Sequence, residues 1–187
     1  MPPILHGKRV AFLVDDGFEQ SELSVPKGVL DAAGADVHLV SPREYTVRAW
    51  RSDARNSDWG SRFAVTRPVR DALALGYDAL VLPGGVMNTD GLRCDPHAIA
   101  LIRSFMLLGK PLAAINHAPQ LLIEADLVRG RRLTSIASIR TDLLNAGANW
   151  VDQAVVVDRN LITSRRPEDL EPFTTLLVDA CLVSSAT

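Results

Sequence analysis

The sequence is poor in cysteine, in aromatic residues and in net charge, and it has no long apolar run; each shortage removes a class of function. Cys94 and Cys181 stand far apart, without the spacing of a metal site or the density of a disulfide framework. Both are expected to be reduced and partly buried, with no metal and no cofactor held by the chain. Aromatic residues make up 5% of the sequence and the formal net charge is −2, which leaves neither a stacking platform nor a basic footprint for nucleic acid. No stretch approaches the roughly 20 apolar residues of a membrane span, and the opening MPPILHGKRVAFLV lacks the basic start and cleavage site of a secretory signal. A cytoplasmic protein with no nucleic-acid or membrane partner is the expectation.

What is present is an ordinary globular composition, 47% hydrophobic and 22% charged over 187 residues, enough for one domain spanning 1–187 with a full core. The stretch KPLAAINHAPQLL, 110–122, organises the rest. Leu112 to Ile115 form the short apolar run of a central parallel strand. Polarity breaks at Asn116 and His117, and Pro119 sits where the first turn of a helix tolerates a missing N–H. Asn116 is therefore an elbow residue, aimed over the carboxyl end of a sheet beside backbone N–H groups. Elbows of this kind usually carry a nucleophile, whereas an Asn amide neither attacks nor titrates at neutral pH. Read alone, the same Asn serves a purely structural turn, because Asn tolerates left-handed backbone.

Around the elbow the chain alternates strand and helix, which forces a parallel sheet. RVAFLV (9–14) is a strand that ends at Asp15-Asp16-Gly17 and delivers Glu19 to its carboxyl end. A helix from about Ser21 or Ser24 to Ala33 follows, with Pro26 near its first turns, and then the strand DVHLV (36–40). Glu19 has two readings, a solvated helix-start carboxylate or a carboxyl held protonated in a closed pocket. Between 43 and 70 short antiparallel strands near 46–50 and 62–66 are expected, joined by the polar loop RSDARNSDWG, with Trp50 and Trp59 covering a sheet edge or an oligomer contact.

DALVL (78–82) is the next strand, Gly84 and Gly85 let backbone approach a ligand, and Asn88, Thr89 and Asp90 continue as loop. Asp95-Pro96 opens an apolar helix that ends at Gly109. Beyond the elbow a short strand at 131–134, a helix capped by Ser138, strand-like segments at Trp150 and 155–157, a return strand at 161–163 and a last helix over about 168–182 complete the chain. Arg129, Arg131 and Arg132 are taken as a solvated turn.

The segments VAFLVDDGFEQSEL, LVLPGGVMN, GKPLAAINHAPQLLIEADLVRGRRLTS, RTDLLNAGANWVD and NLITSRRPEDL, which together span most of the chain, resemble the PfpI-type intracellular protease/amidase family of the class I glutamine amidotransferase-like superfamily. The resemblance implies an α/β flavodoxin-like sandwich, with a mostly parallel sheet, helices on both faces and a small antiparallel hairpin, assembled as a homodimer or higher homo-oligomer. It places the family's nucleophilic Cys at Asn116, its adjacent His at His117 and its protonated carboxyl at Glu19. It likens the N–H groups of Gly85 and His117, with Gly84, Ala118 and Ile136 nearby, to an oxyanion or ligand site. Asp90 is similar in place to the acidic residue that orients the His across a subunit interface. Three departures cluster there: Asn116 for Cys, Ala118 for the Gly of Cys-His-Gly, and Ile136-Ala137 for Tyr-Pro. Four functions stay open: a pseudoenzyme that binds a small polar or carbonyl ligand in a stress-protective role, a hydrolase, glyoxalase-type or hydratase enzyme using His117 and Glu19, a thiol enzyme relocated to Cys94, and a structural subunit.

Overall fold

The computed structural model describes residues 3–52 and 57–183. In chain order the elements are β1 (Arg9–Leu13), α1 (Gln20–Ala32), β2 (Asp36–Ser41), β3 (Thr46–Arg51), β4 (Asp58–Ala64), β5 (Arg67–Pro68), β6 (Ala79–Leu82), α2 (Val86–Arg93), α3 (Pro96–Leu107), β7 (Leu112–Ile115), α4 (Pro119–Glu124), β8 (Arg132–Leu133), α5 (Arg140–Asn145), β9 (Asn149–Trp150), β10 (Val155–Asp158), β11 (Leu161–Ser164) and α6 (Leu170–Val183).

A seven-stranded sheet runs in the order β10-β11-β7-β6-β1-β2-β5, parallel throughout except for β10 against β11. Its central strands read as unbroken apolar runs, ALVL in β6 and LAAI in β7, because helices cover both faces and every residue of each is buried. One core layer centres on Phe105 and Leu121, the other on Phe12, Phe18 and Phe173. Since all the central strands point one way, the loops after β1, β6, β7 and β11 meet at one edge, where an open α/β sheet places a ligand. The expected α/β sandwich with its antiparallel hairpin is the fold observed; the hairpin is β3 paired with β4.

Several local expectations need correction. Residues 88–90 are helical, not loop, because Gly85 turns the chain at φ 100 and α2 starts at once. Asn88, polar enough to look like loop, is buried: its Oδ1 accepts from the Asp15 N–H and its Nδ2 donates to the Pro83 and Gly84 carbonyls. Ser138 does not cap α5; it lies in a 3-10 turn, Ala137–Ile139, that precedes that helix. The first helix begins at Gln20, so Pro26 lies inside it and withholds the N–H that the Glu22 carbonyl would have met. Arg131 is not solvated but donates to the Asp158 carbonyl over 3.0 Å. Of the expected polar loop 51–60, residues 53–56 lie outside the described residues, and Asp58 to Gly60 are already strand. Asp95 caps α3 as expected, accepting from the N–H groups of His97 and Ala98. Among the described residues no helix is long and apolar enough to cross a membrane.

Candidate functional site

β7 ends at Ile115, and the next residue takes the left-handed conformation: Asn116 has φ 65. Its backbone is fixed on both sides, the N–H donating to the Ser164 carbonyl over 3.1 Å and the carbonyl accepting from Ile136 N–H over 3.1 Å. Pro119 then opens α4. This is the strand, strained turn and helix of an elbow, and Asn is the non-glycine residue best suited to that φ.

Behind the elbow lies Glu22, not Glu19. Glu22 is fully buried on α1; its Oε2 accepts from Gly84 N–H over 2.7 Å, and Asn116 Nδ2 donates to its Oε1 over 2.7 Å. Burial, with Glu19 and Glu168 adding repulsion, raises its pKa from 4.5 to about 8, against the opposing pull of the two hydrogen bonds. The carboxyl is therefore an acid at neutral pH. Gly84 makes this contact possible: a Cβ there would stand 2.6 Å from the Asn116 Cβ and 2.9 Å from Glu22 Oε2. Gly85, at φ 100, has no room for a Cβ against the Gly17 carbonyl. Among the described residues neither the Gly85 nor the His117 N–H has an acceptor within the protein.

Glu19 is buried too, as the residue before α1, so it is not the solvated carboxylate of its simpler reading. Its N–H donates to the Gly84 carbonyl, and it lines a cavity of about 600 Å³ together with Trp50, Gly85, Asn116, His117 and Ile136. Trp50, expected to cover a sheet edge or an oligomer contact, walls this cavity while its ring meets Trp59 edge to face at 5.6 Å. Arg166 and Glu168 stand at the same cavity. Sequence reasoning missed Arg166, Glu22 and Ser138.

His117 is half-buried, and that burial pushes its pKa below 6.5, leaving the ring neutral at pH 7. Ser138 Oγ lies 3.3 Å from its Nε2, while Nδ1 is buried without a partner among the described residues. Asp90 is exposed on α2 and does not line the cavity, so within one chain it does not orient His117. Ala118 is fully buried in the core instead of facing a ligand. A larger cavity, about 740 Å³, opens at the other end of the strands beside Lys110, Asn160 and Val183, remote from the elbow.

Neither cysteine reaches the site. Cys181 is wholly buried in α6, and burial raises its thiol to about 12. Cys94, expected to be partly buried, is exposed at the C-terminus of α2 and does not line the cavity. An alkylating reagent at pH 7 is expected to label Cys94 at no more than the free-cysteine rate and to leave Cys181 intact, as read by mass spectrometry. Fast labelling of Cys94 that a small carbonyl compound blocks would move the reactive centre there.

A sequence model described as the DJ-1/PfpI family matches residues 8–180. Protein/nucleic acid deglycase 2 of Escherichia coli K12 is 39% identical over 168 residues, covering 89% of this chain and 93% of that one. A two-domain protein from Anabaena variabilis with DJ-1/ThiJ/PfpI-like and ferritin-like domains superposes with a TM-score of 0.83 at 38% identity, over 92% of this chain and 49% of the larger one. A ThiJ/PfpI domain protein from Brachyspira murdochii shares the fold, with a TM-score of 0.83 at 20% identity over 97% of this chain and 100% of its own.

Proposed function

The chain belongs to the DJ-1/PfpI family, and from that membership we propose that it is a pseudoenzyme, a cytoplasmic binding protein that keeps the family's cavity for a small polar or carbonyl ligand without the elbow thiol. One observation carries the reading: the residue at the left-handed elbow, beside a buried acid and facing the cavity, is Asn116. Loss of the nucleophile from a set of groups that act together costs on the order of 10⁶ in rate. The frame that would serve a nucleophile stands intact around it, with Glu22 protonated, Gly84 and Gly85 in place and the His117 ring neutral. Asn at φ 65 also relieves backbone strain, of order 1–2 kcal/mol, that most other residues carry there. A stress-protective role follows if the ligand is a toxic carbonyl.

The test is binding. Methylglyoxal added to labelled protein is expected to shift the backbone signals of Gly85 and His117 reversibly and saturably, with no covalent adduct in the mass spectrum. Signals that stay still at saturating concentration would remove the reading.

A second reading is favoured by His117. A neutral imidazole whose Nε2 lies beside the Ser138 hydroxyl at the cavity can take a proton from water, with Glu22 as the acid. That enzyme would hydrate or hydrolyse a carbonyl without a covalent intermediate, and His117→Ala would abolish its turnover.

The partly exposed His117 ring and the exposed Asp90 of α2 also motivate a homodimer in which Asp90 of one subunit reaches His117 of the other. A dimer by light scattering at micromolar concentration, and an upward shift of the His117 pKa on dimerisation that Asp90→Asn removes, are the expected results.

A further inference from the structure

A third cavity, about 200 Å³, lies beside β2 and β5 at the sheet edge and shares no lining residue with the elbow cavity. The register of β1 on β2 pairs Arg9 with Asp36 and Ala11 with His38, so alternation along the strands sets Arg9, Asp36 and His38 on one face. Arg67 joins them from β5, and Tyr77, itself buried, from the approach to β6. Asp36 Oδ2 accepts from Arg9 Nε over 3.0 Å and stands 3.2 Å from His38 Nε2. A carboxylate only accepts, so the neutral ring carries its proton on Nε2, and its Nδ1 receives the Tyr77 O–H over 3.1 Å. The phenol proton is thereby spent inside the protein.

The two guanidiniums are not. Arg9 gives Nε to Asp36 and an Nη1 hydrogen to the Gly76 carbonyl over 3.4 Å, and Arg67 gives an Nη1 hydrogen to the Asp71 carbonyl over 3.5 Å. An Arg side chain carries more N–H donors than these contacts use, so among the described residues both keep donors for a ligand. Both positive charges act on the Tyr77 hydroxyl, which brings the guanidiniums together at the cavity. The lining holds these two arginines and one carboxylate, Asp71, while the Asp36 carboxylate turns to Arg9 and His38 and does not line the cavity. One negative charge therefore balances the site better than two. Leu73 and Leu75 stand at the same cavity, 72% and 77% exposed, as apolar walls left to water.

We propose that this cavity is a binding site for a small monocarboxylate with a short apolar body: Arg9 and Arg67 take the carboxylate, and Leu73 and Leu75 cover the hydrocarbon. A planar guanidinium matches the two oxygens of a carboxylate, and two of them side by side hold it from both flanks. The volume lies below the roughly 300–1,000 Å³ of sites for drug-sized ligands, which limits the body to a few carbons.

The probe is isovalerate, titrated into the full-length nitrogen-15 protein, with the Nε–H signals of Arg9 and Arg67 as the readout. Saturable shifts at both are expected. Isovaleramide has the shape without the charge and acetate the charge without the body, so each is expected to bind about tenfold more weakly. Arg67→Met keeps an apolar stem and removes the guanidinium; isovalerate should bind it about tenfold more weakly, and isovaleramide as it binds the wild type. Leu75→Ser should bring isovalerate down toward the affinity of acetate. Arg67 and Leu75 are both exposed, so neither variant disturbs the core. Isovaleramide binding as tightly as isovalerate, inorganic phosphate binding more tightly than isovalerate, or an Arg67→Met protein that holds isovalerate as the wild type does overturns the assignment. So do shifts confined to Gly85 and His117, which would put the acid at the elbow, and still signals at Arg9 and Arg67 with about 100 mM probe.

Discussion

Asn116→Cys is expected to create a thiol that iodoacetamide alkylates at pH 6.5 about ten times faster than Cys94. The new sulfur would sit at the elbow, within reach of the buried Glu22 acid and of the Gly85 and His117 N–H groups, which have no acceptor among the described residues. A hydrogen bond from an acid and adjacent backbone dipoles stabilise the thiolate, so its pKa should fall below the ordinary value of about 8.5. Below the pKa, each unit of lowering raises the thiolate fraction tenfold and costs about threefold in intrinsic nucleophilicity. Two units give the tenfold gain. The substitution also restores strain, because Cys is less at ease than Asn at φ 65, and should cost about 1 kcal/mol of stability. Turnover should return only in part, since Ile136 supplies no hydroxyl to the cavity. A thiol no more reactive than Cys94 would mean that the elbow no longer stabilises an anion.

Glu22→Gln is expected to become more stable than the wild type as pH rises, the reverse of the usual cost of altering a buried group. In the folded chain the Glu22 pKa is raised from 4.5 to about 8, so the native state binds a proton that the unfolded state has released across that interval. The sign is then fixed: the wild type is most stable, as far as Glu22 decides, below about pH 4.5, loses stability as pH rises toward 8, and levels off above it. Gln carries no proton to lose; its carbonyl accepts from the Gly84 N–H, and with the Asn116 amide turned over its NH₂ donates to Asn116 Oδ1. At about 1.4 kcal/mol per pH unit the interval sets a ceiling near 5 kcal/mol, of which about 2–3 kcal/mol is a reasonable expectation once the site relaxes around the charge. Urea unfolding at pH 5 and pH 9 measures it. A difference between the two proteins that does not change with pH would mean that Glu22 is ionised in the native state.

The sheet and the elbow were legible because both depend on short-range rules. LAAI is apolar on both faces, Asn116 interrupts it, and Pro119 permits a helix start, so the strand, turn and helix follow from local chemistry. Glu22 was hidden by the same locality. Glu19 is the carboxylate nearest the end of β1, and only the helical spacing that puts Glu22 in line with Pro26 and Leu30 on the buried face of α1 shows which carboxyl turns inward. A charged residue on an otherwise apolar stripe was the available signal. α2 was missed because Asn88 and Thr89 are polar, yet both are buried, Asn88 serving the backbone of neighbouring loops. Ser138 reaches His117 through a pairing of distant segments that no local pattern encodes.

Lactate formation from methylglyoxal and water separates a binding protein from an enzyme. The wild-type protein is expected to form no more lactate than buffer, under conditions where methylglyoxal reversibly shifts the Gly85 and His117 signals and where Asn116→Cys forms lactate at a measurable rate. Lactate formed by the wild type well above buffer, and lost in His117→Ala, would contradict that expectation and make Asn116 part of a working active site.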